Sequence, residues 1–275
     1  PFRHECLLMQ ISFDRYQTGD SAVHRLDPRV KVLAAVAFIV SNVMLPDAAW
    51  IAFGLAWLSI VGAGLLAHIG YGYTLKRSFV ALPFALAAVS AIFALPGHPV
   101  GTLHLGSWEL VATDAGVLRF VSVVVRSWLS VQAAILLTAT TQFPDLMHAL
   151  RHLRLPGPLV AIVSFMYRYL SVLTDETSRL LRARESRSAR LENAPGLKSG
   201  GSIVWRARVA GNMAGQLFLR SYERSDRIYN AMLARGYQGH FYTLNPHKMK
   251  PSDWLAGVSV AVGLMLLQVA GWMGQ

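Results

Sequence analysis

Two short stretches of the chain combine alanine and arginine in a pattern suited to protein docking. They are Arg182-Ala183-Arg184-Glu185-Ser186-Arg187 and Leu233-Ala234-Arg235-Gly236-Tyr237. Arginine carries a planar, permanently charged fork that makes several directed hydrogen bonds at an interface. The pattern therefore indicates a docking surface rather than a reaction centre. Two simpler interpretations stay open: contact with anionic lipid headgroups and, for Arg235, stabilisation of a helix end.

Two pairs of histidines are candidates for metal binding, but neither pattern is strong. His148 and His152 are four residues apart, so both could lie on one helix face and bind an ion. Asp145 is the one further ligand nearby, and His98 and His104 lie in a predicted external loop. Polar residues at the edge of an amphipathic helix and in a loop explain both pairs more simply. We therefore expect neither a metal site nor a bound cofactor.

The sequence lacks the motifs of common catalytic and nucleotide-binding sites. It contains no Gly-x-x-x-x-Gly-Lys-Ser/Thr loop for ATP, no Gly-x-Ser-x-Gly turn and no His-Glu-x-x-His helix. These absences predict a non-catalytic protein whose ATPase, if it has one, is a separate polypeptide. A membrane-embedded enzyme such as a lipid headgroup transferase is the alternative. Such an enzyme needs clustered carboxylates to hold divalent metal, whereas Asp175 and Glu176 form an isolated pair among arginines.

Composition indicates a membrane protein with one basic segment. Of the 275 residues, 53% are hydrophobic and 15% are charged, against roughly 25% charged in ordinary globular proteins. Residues 151–250 contain 17 Lys or Arg and 6 Asp or Glu residues, which accounts for the entire net charge of +11. This segment lacks the alternation of aromatic and basic residues found in nucleic-acid stacking surfaces, so no nucleic-acid partner is expected. Cys6 is the only cysteine, which excludes an internal disulfide and a cysteine-based zinc site.

Five segments are apolar enough to cross a bilayer, which takes about 20 residues. They are Val30–Leu45, Ala48–Ala67, Phe79–Pro96, a stretch within Val117–Thr141 and Trp254–Met273. The connections Pro46-Asp47 and Gly97–Gly116 contain no Lys or Arg, whereas five such residues lie between Arg3 and Lys31. By the positive-inside rule, the N-terminus is expected to be cytoplasmic and the C-terminus external.

Arg126 lies inside the fourth of these segments. A charged residue within a span is costly and suggests a functional role by default. A pair within the helix bundle, or a span that begins near Trp128, is the simpler interpretation, because one residue cannot form a proton path.

The apolar run Leu159–Leu173 is interpreted as a cytoplasmic or interfacial helix and not as a sixth span. Its clean apolar part ends at Arg168 after nine residues, which is too short to cross the bilayer. Arginines flank the run on both sides, so a crossing would place a dense arginine cluster outside. The helix that contains this run has an apolar first half and an arginine-rich second half. This pattern predicts contact with membrane helices on one side and a soluble protein on the other.

Residues 143–250 are predicted to form a cytoplasmic unit of two long helices and a short one. The three helices are Phe143–Leu153, stopped by Pro156-Gly157-Pro158, then Leu159 to about Glu192, and then a helix from an N-cap at Ser202 to Arg235. Gly236 suits the left-handed position after the last helix, since glycine has no Cβ to clash there. Val209, Met213 and Leu217 form an apolar stripe that indicates packing against a helix or a membrane surface.

The predicted fold class is an all-α polytopic membrane protein with about five transmembrane helices and a cytoplasmic helical unit. Residues 1–142 hold the N-terminal segment and the first four spans. Residues 143–250 hold the cytoplasmic helices, and residues 251–275 hold the last span.

The arginine stretches and their surroundings resemble the transmembrane coupling component of energy-coupling factor transporters, a branch of ATP-driven importers. His24–Lys31 is similar to that family's motif before the first membrane helix. Phe165–Leu170, followed by Asp175-Glu176 and the first arginine stretch, resembles the cobalt and nickel subgroup in particular. Glu223–Tyr237 is similar to the family's second arginine motif with its preceding helix. The likeness covers nearly the whole chain in the expected order.

The resemblance implies a non-catalytic scaffold in the plasma (inner) membrane of a prokaryote. Its partners would be a pair of ATP-binding subunits, a metal-binding membrane subunit that captures the substrate, and membrane lipid. The complex would also have room for a further small membrane subunit. The substrate would be cobalt or nickel, with a vitamin-type substrate as the alternative.

The same resemblance implies which residues dock. The ATPase-docking set would be Ala183, Arg184 and Glu185 in the first stretch and Ala234, Arg235 and Gly236 in the second. Each central arginine would enter a groove on one ATP-binding subunit. Glu185 stands where the family often has glycine, so the first helix is expected to continue and to present Arg184 from its side.

Overall fold

The computed structural model describes residues 16–81, 83, 88–90, 92, 98–105, 108–187, 203–239 and 249–273. The chain divides into two compact units. The membrane unit comprises the described parts of residues 13–154 and 245–275, and the helix-pair unit comprises those of residues 155–244. The domain boundaries predicted after residues 142 and 250 stay predictions.

The membrane unit contains seven helices among its described residues, together with one 3-10 turn and a two-stranded hairpin. The helices are α1 (Ala22–Arg25), α2 (Pro28–Met44), α3 (Trp50–Leu66), α4 (Tyr71–Ser78), α5 (Asp114–Thr140), α6 (Phe143–His152) and α9 (Pro251–Met273). The 3-10 turn is Phe79–Ala81, and the strands are β1 (Pro99–Leu105) and β2 (Trp108–Thr113). The helix-pair unit contains α7 (Gly157–Arg187) and α8 (Ile203–Ala234).

Three helices of the described chain, α5, α7 and α9, are long and apolar enough to cross a membrane. The shorter helices α2 and α3 coincide with the first two predicted spans, and α5 and α9 with the fourth and fifth. The third predicted span, Phe79–Pro96, lies mostly outside the described residues. By length and composition alone, α7 could also be a membrane-spanning helix. Its cytoplasmic placement, like the sidedness of the termini, rests on the distribution of arginines and stays a prediction.

The predicted all-α fold class is confirmed, with one local difference in the expected external loop. There β1 and β2 pair antiparallel, from Pro99 opposite Thr113 to Leu105 opposite Trp108. The two residues between the strands in sequence are Gly106-Ser107, a dipeptide typical of short hairpin connections. The connection between the spans is therefore a hairpin and not an irregular loop.

The core of the membrane unit forms where α2, α3, α5 and α9 meet. Its buried apolar residues are Leu45, Ala49, Ala52, Phe53, Ala56, Ile60, Leu129 and Leu267. The alanines on α3 allow close helix approach, which is how membrane helices gain packing energy. Large apolar side chains on the same helices point outward, with Ile51 67% exposed and Leu266 64% exposed. This distribution is typical of a surface that faces lipid.

A buried carboxylate joins the first residues of α2 and α9. Asp253 accepts hydrogen bonds from the backbone amides of Asp27 at 3.2 Å and Lys250 at 2.8 Å. Asp27 in turn caps α2 by accepting from the amide of Arg29 at 2.9 Å. Both aspartates are only 3% exposed. Because buried amides at a helix N-terminus need acceptors, these two carboxylates, termed the carboxylate anchor, hold the two helix ends together.

Lys31 connects the same region to two further elements. Its ammonium group donates to the carbonyls of His24 at 3.0 Å and Thr140 at 3.1 Å. Thr140 is the last residue of α5, so its carbonyl has no partner within the helix. Lys31 therefore supplies the donor that the C-terminus of α5 lacks.

Arg126 pairs within the bundle, as the simpler interpretation predicted. Its Nη2 donates to the carbonyl of Leu45 at 2.6 Å and to the carboxylate of Asp47 at 2.8 Å. Its backbone carbonyl accepts a hydrogen bond from the side-chain amide of Asn42 at 2.9 Å. The side chain is 18% exposed, so a largely buried charge is neutralised by a carboxylate between the first two spans.

Replacing Asp253 with alanine is expected to destabilise the membrane unit by about 1–3 kcal/mol, because two backbone amides lose a charged acceptor. The measurement is the midpoint of thermal unfolding of the purified chain in detergent. Asp20→Ala is the control, since the Asp20 side chain is 82% exposed and its ion pair with Arg25 contributes little. An equal loss in both variants would contradict the role of the anchor.

Arg126→Met is expected to lower the free energy of unfolding by about 1–3 kcal/mol, because the Leu45 carbonyl and Asp47 lose their donor. The matched variant is Arg119→Met, since Arg119 is 53% exposed and lies 3.9 Å from the same carboxylate. Denaturant unfolding followed by tryptophan fluorescence compares the two. If Arg119→Met costs as much, the charge near Asp47 matters rather than the buried hydrogen bonds.

Candidate functional site

Both arginine stretches lie in the helix-pair unit. The predicted docking residues are Ala183, Arg184 and Glu185 on α7, and Ala234 with the following Arg235 and Gly236 at the end of α8. Among its described residues α7 buries only Ala161, and α8 buries none. The arginine stretches are therefore carried by helices that are accessible along most of their length.

One face of α8 is partly covered from Val209 to Met232. The half-buried residues on it recur every three or four positions and are Val209, Met213, Leu217, Ser221, Arg224, Ile228 and Met232. This spacing follows one side of an α-helix. The first three residues are the apolar stripe identified in the sequence, and each is half-buried; that the stripe packs against a helix or a membrane surface stays a prediction.

The two helices run antiparallel where they meet. An open cavity of about 250 Å³ is lined by Phe165, Tyr169 and Leu173 of α7 and by residues of α8 that include Ser221, Ile228 and Met232. Further along α7, Glu176 contacts α8 at Arg220 and Arg224, near the start of that α8 segment. Because advancing along α7 corresponds to going back along α8, the helices point in opposite directions.

A single carboxylate joins the helices beside this cavity. Arg220 donates to one oxygen of Glu176 at 2.8 Å, and Arg224 donates to the other oxygen at 3.2 Å. The Glu176 side chain is 19% exposed, and that of Arg220 is 54% exposed. The hydrogen bond from Arg220, together with the charge of Arg224, lowers the pKa of Glu176. These three residues are termed the clasp.

A glycine turn at the end of α8 presents Arg235. Gly236 has a φ of +79°, in the left-handed region predicted from the sequence. Its amide donates to the carbonyl of Leu233 at 2.9 Å, and the amide of Tyr237 donates to the carbonyl of Met232 at 3.0 Å. This pair of bonds is a Schellman motif, which ends the helix and satisfies its last carbonyls. Arg235 is thus exposed at a helix tip.

Arg184 is presented differently. The helix α7 continues through Glu185 to Arg187, which confirms that it does not end where the resembling family often has glycine. The rest of the helix predicted to about Glu192, and the predicted N-cap Ser202, lie outside the described residues. Ala183 and Glu185 are exposed and Arg184 is half-buried. Because the helix continues past Arg184, this residue lies on a helix side and not at a helix tip.

The structure does not bring the two arginine stretches into one site. Arg184 is eight residues beyond Glu176 on α7, which is about 12 Å along the helix. Arg235 is eleven residues beyond Arg224 on α8, which is about 16 Å. Because the helices are antiparallel, these distances extend in opposite directions from the clasp. Arg184 and Arg235 therefore lie at two separate places on one helix pair.

The histidines on α6 contact each other. The rings of His148 and His152 lie 4.8 Å apart between centroids. Burial, together with the nearby charges of Arg29 and Arg151, lowers the pKa of His152 and favours its neutral ring. In the part of the chain that the structure describes, no three His, Cys, Asp or Glu side chains are grouped to hold a metal ion.

The clasp is the part of the site that sequence reasoning missed. In the sequence Glu176 belongs to an acidic pair with no evident partner. The available signal is the spacing of Arg220 and Arg224, which are four residues apart and so lie on one helix face. Nothing local indicates which acidic residue, 44 positions earlier, lies opposite that face.

An apolar helical bundle with exposed apolar outer faces, together with a second unit of two accessible helices that carry the arginine stretches, defines a polytopic membrane protein. Residues 19–246 match the family described as cobalt transport protein (CbiQ), and the chain belongs to this family. The resemblance drawn from the arginine motifs is therefore confirmed.

Several relatives align over nearly the full chain. The energy-coupling factor transporter transmembrane protein EcfT of Brevibacillus brevis is 29% identical over 97% of this chain and 99% of its own length. The protein of the same name from Lacticaseibacillus paracasei is 28% identical over 92% of this chain and 96% of its own length. That of Thermanaerovibrio acidaminovorans is 29% identical over 95% of each chain. The chain is thus related throughout to transmembrane proteins of transporters.

Acid is expected to release the clasp. The pKa of Glu176 is lowered from its usual 4.5 in the folded chain, so the clasp contributes fully above about pH 5 and is lost as the pH falls through the lowered value. The measurement is the difference in thermal midpoint between the wild type and Glu176→Gln across the pH range. This difference should be constant at neutral pH and shrink in acid. A difference that grows in acid would contradict the assignment.

Proposed function

We propose that this chain is the transmembrane coupling component of an ATP-driven energy-coupling factor importer. In this proposal its spans lie in the plasma (inner) membrane of a prokaryote, with a cytoplasmic N-terminus and an external C-terminus. Membership of the transport family and the names of the relatives support the transporter setting. The observation that carries the coupling role is the placement of Arg184 and Arg235 on opposite sides of the clasp, on one accessible helix pair.

The two separated arginines fit a pair of similar partners. Each arginine enters a groove on one of two ATP-binding subunits, with the small neighbours Ala183, Ala234 and Gly236 leaving space for the groove walls. When ATP draws those subunits together, the two docks move and α7 and α8 move with them. This motion passes to a membrane subunit that captures the substrate. The chain itself hydrolyses nothing, which agrees with the absence of a P-loop from its sequence.

Cobalt or nickel is the proposed substrate. The family description and the similarity of Phe165–Leu170 to the cobalt and nickel subgroup support this choice. The metal would be bound by the capturing subunit, with room in the complex for a further small membrane subunit. Uptake of Co²⁺ and Ni²⁺ by cells that express the complex tests the substrate. Retained association with an ATPase but no uptake of either metal would favour a vitamin-type substrate.

Replacing both docking arginines with alanine is expected to disconnect the chain from its ATP-binding subunits. Interface arginines at the centre of a contact contribute about 2 kcal/mol or more each. We therefore expect Arg184→Ala with Arg235→Ala to reduce co-purification of the ATP-binding subunits by roughly 100-fold or more and to abolish metal uptake. The measurements are a detergent pull-down from native membranes and uptake of labelled Co²⁺.

The matched control removes the same charge from the same helices. Arg179 on α7 and Arg227 on α8 are both exposed and lie outside the two arginine stretches, so Arg179→Ala with Arg227→Ala should leave recruitment and uptake near wild type. An equal loss in the control would indicate attraction to lipid headgroups instead of docking. Unchanged uptake in the Arg184 and Arg235 variant would exclude the docking role.

A further inference from the structure

We infer that Glu176 is a positioning residue whose two ion pairs set the angle at which α7 and α8 cross, and thereby the separation of Arg184 and Arg235. The inference deepens the proposed function. Only the role of the dock separation in transport rests on that function. The geometric claim, that the clasp holds the crossing, concerns this chain alone.

The clasp constrains the crossing because it engages both oxygens of one carboxylate. Arg220 and Arg224 are one helical turn apart on α8, and each donates to a different oxygen of Glu176, at 2.8 Å and 3.2 Å. Two bonds from successive turns to one planar group restrict rotation of α8 as well as its distance from α7. A single bond would restrict the distance alone.

Packing does little to fix the angle otherwise. Among the described residues, α7 buries only Ala161 and α8 buries none. The apolar residues of the crossing, such as Phe165 and Ile228, line an open cavity of about 250 Å³. Close-packed interfaces resist motion because side chains fill the space between elements. Here that resistance is weak, so the directed bonds of the clasp have a large share in holding the angle.

The position of the clasp turns small angular changes into displacements of the docks. Arg184 lies about 12 Å beyond Glu176 along α7. Arg235 lies about 16 Å beyond Arg224 along α8, in the opposite direction from the clasp. A change of about 10° in the crossing angle would move these ends by roughly 2–3 Å. Hydrogen bonds fail over smaller displacements than this. A change in the crossing angle therefore changes the separation of the two docks, and with it the way in which motion of the ATP-binding subunits reaches the helix pair.

The test measures the separation of the docks in the full chain, bound to its ATP-binding subunits in lipid nanodiscs and also free. Spin labels are attached at Arg187→Cys and Gln238→Cys in a Cys6→Ser background, so the docking arginines stay intact. The distribution of label-to-label distances is recorded for the wild type, Glu176→Gln and Asp175→Asn. Asp175 is the exposed neighbouring carboxylate, so its variant changes the net charge by the same amount at the same place.

In Glu176→Gln we expect the distance distribution of the free chain to broaden roughly twofold, and in Asp175→Asn we expect the wild-type distribution. Recruitment of the ATP-binding subunits should change by less than about twofold, because both docks remain, whereas metal uptake should fall roughly tenfold. A purely stabilising residue would lower the amount of folded chain without broadening the distances. Identical distributions for Glu176→Gln and Asp175→Asn would overturn the inference.

A reversed clasp provides the rescue. Glu176→Arg combined with Arg220→Glu and Arg224→Glu restores two opposite-charge contacts, and it should narrow the distribution and recover uptake. Continued broadening in this variant would contradict a role for the ion pairs. If Glu176→Gln does not fold, Arg220→Gln removes one bond only and should give an intermediate width; a wild-type width there would overturn the inference.

Failure of the inference and failure of the proposed function give different results. If the wild type recruits no ATP-binding subunit while Glu176→Gln still broadens the distances, the clasp stands and the proposed function fails. If Arg184→Ala with Arg235→Ala abolishes recruitment while Glu176→Gln changes neither distances nor uptake, the proposed function stands and the clasp fails.

Discussion

A lipid bilayer offers no hydrogen-bond partners to the ends of the helices that cross it, so those ends must be satisfied by the protein or reach water. In the membrane unit, buried side chains meet this requirement. The carboxylate anchor of Asp27 and Asp253 accepts from amides at the starts of α2 and α9, and the half-buried Lys31 donates to the last carbonyl of α5. The apolar contacts of the core between these ends have no directional preference. A few polar bonds therefore specify which helix ends lie together.

The helix-pair unit is held by a different balance of forces. Its helices bury almost nothing among the described residues, and the contacts between them include ion pairs with partly exposed arginines. Ion pairs of this kind contribute little to the free energy of folding, but they are directional. The membrane unit is thus fixed by buried bonds, whereas the helix pair keeps an arrangement that modest forces can alter. The proposed transmission of motion requires both properties.

Features set by local sequence could be predicted, and those set by distant pairing could not. The helices that match four of the expected spans, the continuation of α7 past Glu185 and the left-handed Gly236 follow from nearby residues. By contrast, Glu176 meets Arg220 across 44 positions and Asp253 meets Asp27 across 226. Spacing identifies the arginines as neighbours on a helix, but the opposing residue depends on how two helices cross. The absence of Lys and Arg from Gly97–Gly116 indicates a side of the membrane but not a local structure, so it did not predict the hairpin.

Glycine is favoured at position 236 by the sign of its backbone torsion φ and not by a lack of space for a side chain. A Cβ placed on Gly236 would meet no atom within 4 Å, yet its φ of +79° lies where L-residues are strained. Alanine of the mirror-image configuration would fit there as readily as glycine, because its preferred torsions are inverted. Chirality therefore limits which residue can follow Arg235, at a position where the surroundings leave room for a Cβ.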